Sequence, residues 1–189
     1  MRVVKGSIFT LLCFMPVIAL AHEGHHHTSG FWSGFIHPFT GLDHLVMALG
    51  LGALLWSAQR QWQMVGALAL AVSMGAGFML GTQQLLPASI AEYGIVASLL
   101  VVALGMYNQS FKSVLPVAAL LLGACHGMAH GTELTGYGYP AELMAGMMIA
   151  MSLIYGMGVL LGTVLLKRFP HTKKIFAVVA TIVAVFGLA

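Results

Sequence analysis

The chain has 189 residues, of which 59% are hydrophobic and only 7% are charged. Soluble domains carry about a quarter charged residues, so this composition excludes a soluble globular enzyme. The formal net charge is only +3, and the basic residues form no long run, which argues against nucleic-acid binding. We therefore expect an all-α integral membrane protein whose partners include the lipid bilayer and no nucleic acid.

Residues 1–21 have the pattern of a cleaved signal peptide. Arg2 and Lys5 precede an apolar run, and Ala-Leu-Ala at positions 19–21 matches the small-residue pattern of a signal-peptidase site. An uncleaved first helix is the alternative, although the apolar run is short for a membrane span. Cleavage would leave residues 22–36 as a His-rich periplasmic segment. Four of its histidines are candidates for metal capture: His22, His25, His26 and His27.

Residues 37–189 are predicted to form a domain of six transmembrane helices, because the chain contains six apolar segments of about spanning length. A mature amino terminus outside the cytoplasm places every remaining Lys and Arg in cytoplasmic loops and both mature termini in the periplasm. Two sets of three spans would then be inverted relative to each other, which suggests a 3+3 inverted repeat. The predicted spans are 41–57, 63–86, 89–107, 114–130, 141–166 and 174–189.

The first polar cluster lies where the first predicted span begins. His37, Asp43 and His44 are costly in a hydrocarbon layer unless they pair, face water or bind an ion. Pro38 disfavours helical backbone at His37, so we expect that histidine on a broken or re-entrant turn beside the other two residues. Met47 lies one turn beyond Asp43 and is a secondary candidate for the same cavity.

The second cluster is near the end of the fourth predicted span. His126 and His130 are four residues apart and so share one helical face, with Glu133 one turn further on. The predicted topology places both clusters in the outer half of the membrane, where they can meet. A neighbouring residue, Cys125, is a secondary candidate ligand, although a single buried cysteine more often serves packing.

Six side chains would then converge as imidazole nitrogens and carboxylate oxygens. Such ligands suit divalent nickel, cobalt, zinc or copper. Any single histidine is more often a hydrogen-bonding group between helices, but the complete set at a matched depth favours a metal site. The candidate metal ligands are His37, Asp43, His44, His126, His130 and Glu133.

These motifs resemble the HupE/UreJ family of bacterial nickel and cobalt permeases. The resemblance rests on a His followed by five residues and Asp-His, and on a later His-Gly-x-Ala-His-Gly-x-Glu, starting at His37 and His126 respectively. It covers essentially the whole chain and implies that the six candidate ligands form a metal-selective path in the bacterial inner membrane. One departure is Cys125, which stands where an aromatic residue is expected before the second motif.

The resemblance implies a secondary transporter for Ni²⁺ or Co²⁺, in which the metal is cargo rather than a prosthetic group. No P-loop motif occurs, so we expect transport driven by membrane potential without ATP hydrolysis, and no enzymatic activity. Two alternatives remain: a metal-binding accessory or delivery protein for nickel-enzyme maturation, and a membrane metalloenzyme. The sequence does not choose between nickel and cobalt, and it leaves a homo-oligomer open.

Overall fold

The computed structural model describes residues 30–108, 115–133, 139–169 and 171–186. The predicted signal peptide and the four capture histidines lie outside this part of the chain. The described residues form a π-helical turn at Gly162–Leu166 and seven α-helices: α1 Gly30–Thr40, α2 Leu42–Leu55, α3 Arg60–Thr82, α4 Ala88–Tyr107, α5 Leu115–Glu133, α6 Pro140–Leu161 and α7 Thr172–Phe186. Helix α1 thus begins within the predicted His-rich segment.

Three stretches of the described chain are long and apolar enough to cross a membrane. They are α3, residues Ser89–Tyr107 of α4, and Pro140–Leu166, which joins α6 to the π-helical turn. The bent pair α1 and α2 makes a fourth if it counts as one span. These helices expose large apolar side chains such as Leu68, Val72 and Leu104, as expected of surfaces that face lipid. The chain is a membrane protein, and the spans predicted at α5 and α7 stay predictions.

The break at the start of the first predicted span lies at Gly41, three residues after Pro38. His37 and Pro38 are both within helix α1, so the prediction of a non-helical turn at His37 is wrong. Helices α1 and α2 meet at Gly41 with a bend of 77°. The preference of a residue before proline for extended backbone is only a bias, and here the packing of α1 against α6 prevails over it. The bend itself agrees with the expectation of a broken or re-entrant segment.

Helix α1 lies on the first half of α6 because glycines on both helices remove the side chains between them. A Cβ atom added at Gly34 would collide with the backbone carbonyl of Leu143, and one added at Gly146 would collide with that of Phe31. Small residues let two helix backbones approach closely, and dispersion contacts then hold them together. This packing fixes the end of α1, and with it the position of His37.

Helices α3 and α5 run parallel and pack through glycines in the same way. A Cβ atom at Gly77 would meet the backbone carbonyl of Ala124, and one at Gly127 would meet that of Met74. Residues four positions apart share a helix face, so Gly77 with Gly81 and Gly123 with Gly127 form matching stripes. These glycines therefore serve close helix packing, as small residues at this spacing commonly do in membrane proteins.

The second half of α6 runs parallel to α2. Added Cβ atoms at Gly52 and Gly158 would collide with the backbone carbonyls of Tyr155 and Leu49 respectively, and one at Gly162 would collide with the Trp56 side chain. The end of α2 therefore lies beside the end of α6. Arg60, Lys167 and Arg168 follow these ends closely in sequence. They lie at the opposite end of the bundle from Asp43 and His44, which agrees with the predicted charge asymmetry.

Candidate metal-binding site

His44 lies at the centre of a cluster of titratable side chains between α1, α2 and α5. Its side chain is almost completely buried, and its Nδ1 atom lies 2.9 Å from Oδ1 of Asp43. Its Nε2 atom faces Nε2 of His130 at close range. The ring of His44 also contacts the rings of His37 and His126, with centroids 5.4 and 5.1 Å away. One imidazole thus touches every other member of the cluster except Glu133.

The deepest member of the cluster is His126, whose side chain is fully buried. Its Nδ1–H donates a hydrogen bond of 3.1 Å to the backbone carbonyl of Leu122, one turn earlier in α5. This bond leaves Nε2 with a free lone pair, and within the described chain no group forms a hydrogen bond with that atom. Asp43 Oδ2 lies 3.9 Å away. A histidine that ligates a metal through one nitrogen usually donates its other N–H to a carbonyl or carboxylate, as His126 does.

His130 lies one turn beyond His126 on the same face of α5. Its Nδ1 atom is 3.2 Å from Oε2 of Glu133, whose side chain is 63% exposed. When Asp43 and Glu133 are ionised, each accepts a hydrogen bond from Nδ1–H of its neighbouring histidine. The Nε2 atoms of His44 and His130 then carry lone pairs that face each other. Two facing lone pairs repel unless a proton or a metal cation lies between them, so this arrangement is chemically suited to hold a cation.

His37 approaches the cluster from the end of α1. Its ring centroid is 4.6 Å from that of His130, and the two rings are nearly perpendicular. The imidazole is partly exposed and lines a pocket of about 330 Å³ together with Trp32, Ser33, Ile36 and Thr40. The Thr40 hydroxyl donates a hydrogen bond of 2.8 Å to the His37 carbonyl. His37 therefore connects the buried cluster with this pocket.

The structure brings the ligand atoms together in two sets of three. One set contains His37, His44 and His130, and the other contains Asp43, His44 and His126. Within each set, all ligand atoms lie within 4.8 Å of one another. Glu133 belongs to neither set and contacts the cluster through His130. Five of the six predicted ligands can thus contact a metal ion in at least one set.

Gly41 is a site residue that the sequence did not single out. Its backbone is extended, with φ −88° and ψ 118°, so the conformation itself does not demand glycine. Glycine is required because there is no space for a side chain. A Cβ atom added at Gly41 would lie 2.5 Å from Nδ1 of His44 and 2.9 Å from Oδ1 of Asp43. The sequence feature that could have identified Gly41 is its position between His37 and the Asp43–His44 pair. Its absent side chain lets the bent backbone come close to the Asp43–His44 pair.

The two secondary candidates lie differently from the main set. Met47 is fully buried in the hydrophobic core. Cys125 faces α4, where its sulfur lies beside Gly94, and it lines an apolar groove between α4 and α5. Among the described residues, neither set of metal-binding side chains includes this cysteine. Cys125 points away from the two sets because consecutive residues on a helix point about 100° apart and His126 takes the inward direction, and its role as a ligand stays a prediction.

Comparison with known proteins agrees with the arrangement of motifs. The family model described as "HupE / UreJ protein" matches residues 10–189. The curated protein named "Protein HupE" from Rhizobium leguminosarum bv. viciae is 30% identical over 172 residues, which cover 88% of this chain and 85% of that protein. No solved structure matches the chain. The family is generally linked to nickel or cobalt uptake or to the maturation of urease and hydrogenase. The chain belongs to the HupE/UreJ family.

Proposed function

We propose that this chain is a permease that carries divalent nickel, with cobalt as a second substrate, across the bacterial inner membrane. The observation that carries the proposal is the pair of ligand sets that share the buried His44. Imidazole nitrogen and carboxylate oxygen are suitable ligands for Ni²⁺ and Co²⁺, and the described members of these sets contain no thiolate. The metal is then cargo, and the chain does not act as an enzyme.

The position of the cluster supports a path for ions rather than a purely structural role. Charged side chains inside a membrane usually face a cavity or pair with one another. Here Glu133 is exposed at the end of α5, whereas His126 is completely buried. The polar groups therefore form a continuous series from the surface into the bundle. Polar side chains with a purely structural role would satisfy one another, yet the Nε2 atom of His126 lacks a hydrogen-bond partner within the described chain.

Apolar side chains fill the interior of the described bundle on the far side of the cluster. Further along α2 from His44, the side chains of Met47, Leu51 and Leu54 are buried in the hydrophobic core. A cavity of about 580 Å³ near that end of the bundle is lined by Leu54 together with Ser57 and Gln59. This arrangement supports a state in which the ion reaches the cluster from the exposed end of α5. Release on the far side requires a rearrangement of helices, for which the bend at Gly41 is a suitable pivot.

The membrane potential suffices as the driving force. For a divalent cation, an inside-negative potential of about 100 mV contributes roughly 4.6 kcal/mol, which corresponds to about a thousand-fold accumulation. The topology proposed here has both mature termini in the periplasm, so the cluster opens outward and Arg60, Lys167 and Arg168 lie in the cytoplasm. A divalent ion entering at the cluster then moves down the potential.

The test is uptake of radioactive nickel into proteoliposomes that contain only the purified chain and no ATP. With an imposed inside-negative potential, we expect accumulation above the external concentration. Without a potential, nickel should only equilibrate across the membrane. Parallel uptake of radioactive cobalt would rank the two metals, and protein-free liposomes would measure leakage.

A second function, metal delivery to a maturing enzyme, is favoured by the family's link to urease and hydrogenase maturation. The same experiment separates the two. Tight nickel binding by the purified chain without any uptake above protein-free liposomes would contradict the permease and support delivery.

A further inference from the structure

We infer that the cluster provides two successive positions for the transported cation, and that His44 belongs to both. The outer position consists of His37, His44 and His130, and the inner position consists of Asp43, His44 and His126. The inference rests on the proposed function, since it assumes that the ion moves through the cluster. It adds that the ion is passed between two ligand sets instead of being held in one site.

The two sets are geometrically distinct. Each brings three ligand atoms within 4.8 Å of one another, but no set drawn from the described residues contains both His37 and His126 within that limit. One ion therefore cannot contact all five side chains in this conformation. Because His44 is common to both sets, its imidazole can ligate the ion in either position.

The order of the two positions follows from burial. His37 lines the pocket beside Trp32, and His130 contacts the exposed Glu133, so the outer set is adjacent to the surface. His126 precedes His130 by four residues on α5, which places it about 6 Å deeper along the helix. Its side chain is fully buried. An ion arriving from the exposed end of α5 thus meets the outer set first.

The chemistry of the two sets differs in a way that favours inward transfer. The outer set offers three imidazoles, whereas the inner set replaces one of them with the carboxylate of Asp43. A carboxylate compensates the charge of a cation that has lost its water, and this compensation matters more where burial is greater. The hydrogen bond from Nδ1–H of His126 to the Leu122 carbonyl orients the ring and leaves the lone pair of Nε2 available to a cation. The deeper position is therefore equipped for the more dehydrated ion.

The experiment counts imidazole ligands by nickel K-edge X-ray absorption on purified, nickel-loaded variants in detergent. In His37→Ala the ion should occupy the inner position, so the spectrum should show two imidazoles and the nickel affinity should not fall greatly, whereas a site made of the outer set alone would lose affinity. In His126→Ala it should occupy the outer position and show three. A single site that uses all the histidines would instead leave three imidazoles in both variants. Equal counts, or loss of nickel binding in both variants, would overturn the inference.

His126 is completely buried, so its alanine variant can fail to fold. In that case His37→Ala still decides: three imidazoles indicate a single site, whereas two imidazoles without a large loss of nickel affinity indicate the inner position, because an outer set that has lost His37 would bind nickel far more weakly. Circular dichroism and size-exclusion chromatography establish that each variant is folded. The readout requires binding and not transport. A native chain that binds nickel but fails to carry it would therefore defeat the proposed function, while the imidazole counts would still decide between one position and two.

Discussion

Replacing His44 with alanine is expected to weaken Ni²⁺ binding by at least about 100-fold. Loss of a residue that only orients a metal ligand costs about 10- to 100-fold in affinity. His44 is itself a candidate ligand and belongs to both sets, so neither set can compensate for its loss. The affinity of the purified chain in detergent can be measured by isothermal titration calorimetry with nickel chloride.

His171→Ala is the matched control, because this histidine is exposed and follows the basic residues at the opposite end of the bundle. Its removal should leave nickel affinity within about twofold of native. Circular dichroism on His44→Ala separates lost ligation from lost folding. A folded His44→Ala protein that binds nickel within a few-fold of the native affinity would show that the ion is held elsewhere.

Gly127→Ala should markedly destabilise the bundle. The added methyl group would collide with the backbone carbonyl of Met74 and lie 2.8 Å from the backbone nitrogen of Phe78. Backbone atoms cannot move aside as a side-chain end can, so α3 and α5 must separate. Overpacking of this kind costs about 1–3 kcal/mol, and here it also displaces the helix that carries His126 and His130. The thermal unfolding midpoint of the detergent-solubilised protein measures the effect.

The control for this change is Gly156→Ala in α6. An added Cβ atom at Gly156 meets nothing within 4 Å in the described structure, and the position is exposed. Alanine is favoured over glycine inside a helix by about 0.5–1 kcal/mol, so this variant should be unchanged or slightly more stable. If Gly127→Ala unfolds at the same temperature as Gly156→Ala, close packing of α3 on α5 does not stabilise the protein.

The membrane class and the convergence of the two motifs were accessible from sequence. The composition alone indicates apolar helices, and the spacing of His126 and His130 places both on one helix face. The topology deduced from the distribution of basic residues then brings this face close to Asp43 and His44. Each of these steps depends on a local property, namely helix periodicity or loop charge, which a sequence displays directly.

The position of the bend could not be predicted in the same way. Pro38 suggested a break at His37, but α1 continues to Thr40 because its glycines pack against α6. The residues of α1 and α6 that pack together are distant in sequence, so the local pattern around Pro38 does not reveal this contact. The parallel pairing of α2 with α6 and of α3 with α5 has the same origin, since a small-residue stripe shows that a helix packs closely but not which helix it meets.

The division of the ligands into two sets could not be predicted from the sequence either. The spacing of the motifs places Glu133 and His126 on the same helix face, yet only His126 contributes to a set of three ligand atoms within reach of one ion. That distinction depends on distances of a few ångströms between α2 and α5. The same distances explain why Gly41, a residue without a side chain, matters to the site.

The most direct test of the account is potential-driven nickel uptake by Asp43→Asn in proteoliposomes. Asparagine keeps the size of the side chain and can still accept a hydrogen bond from His44, but it lacks the negative charge. Glu92→Gln, an exposed carboxylate position at the start of α4, is the matched control. We predict uptake at background level for Asp43→Asn and native uptake for the control. Native uptake by Asp43→Asn would contradict a path through the His44 cluster.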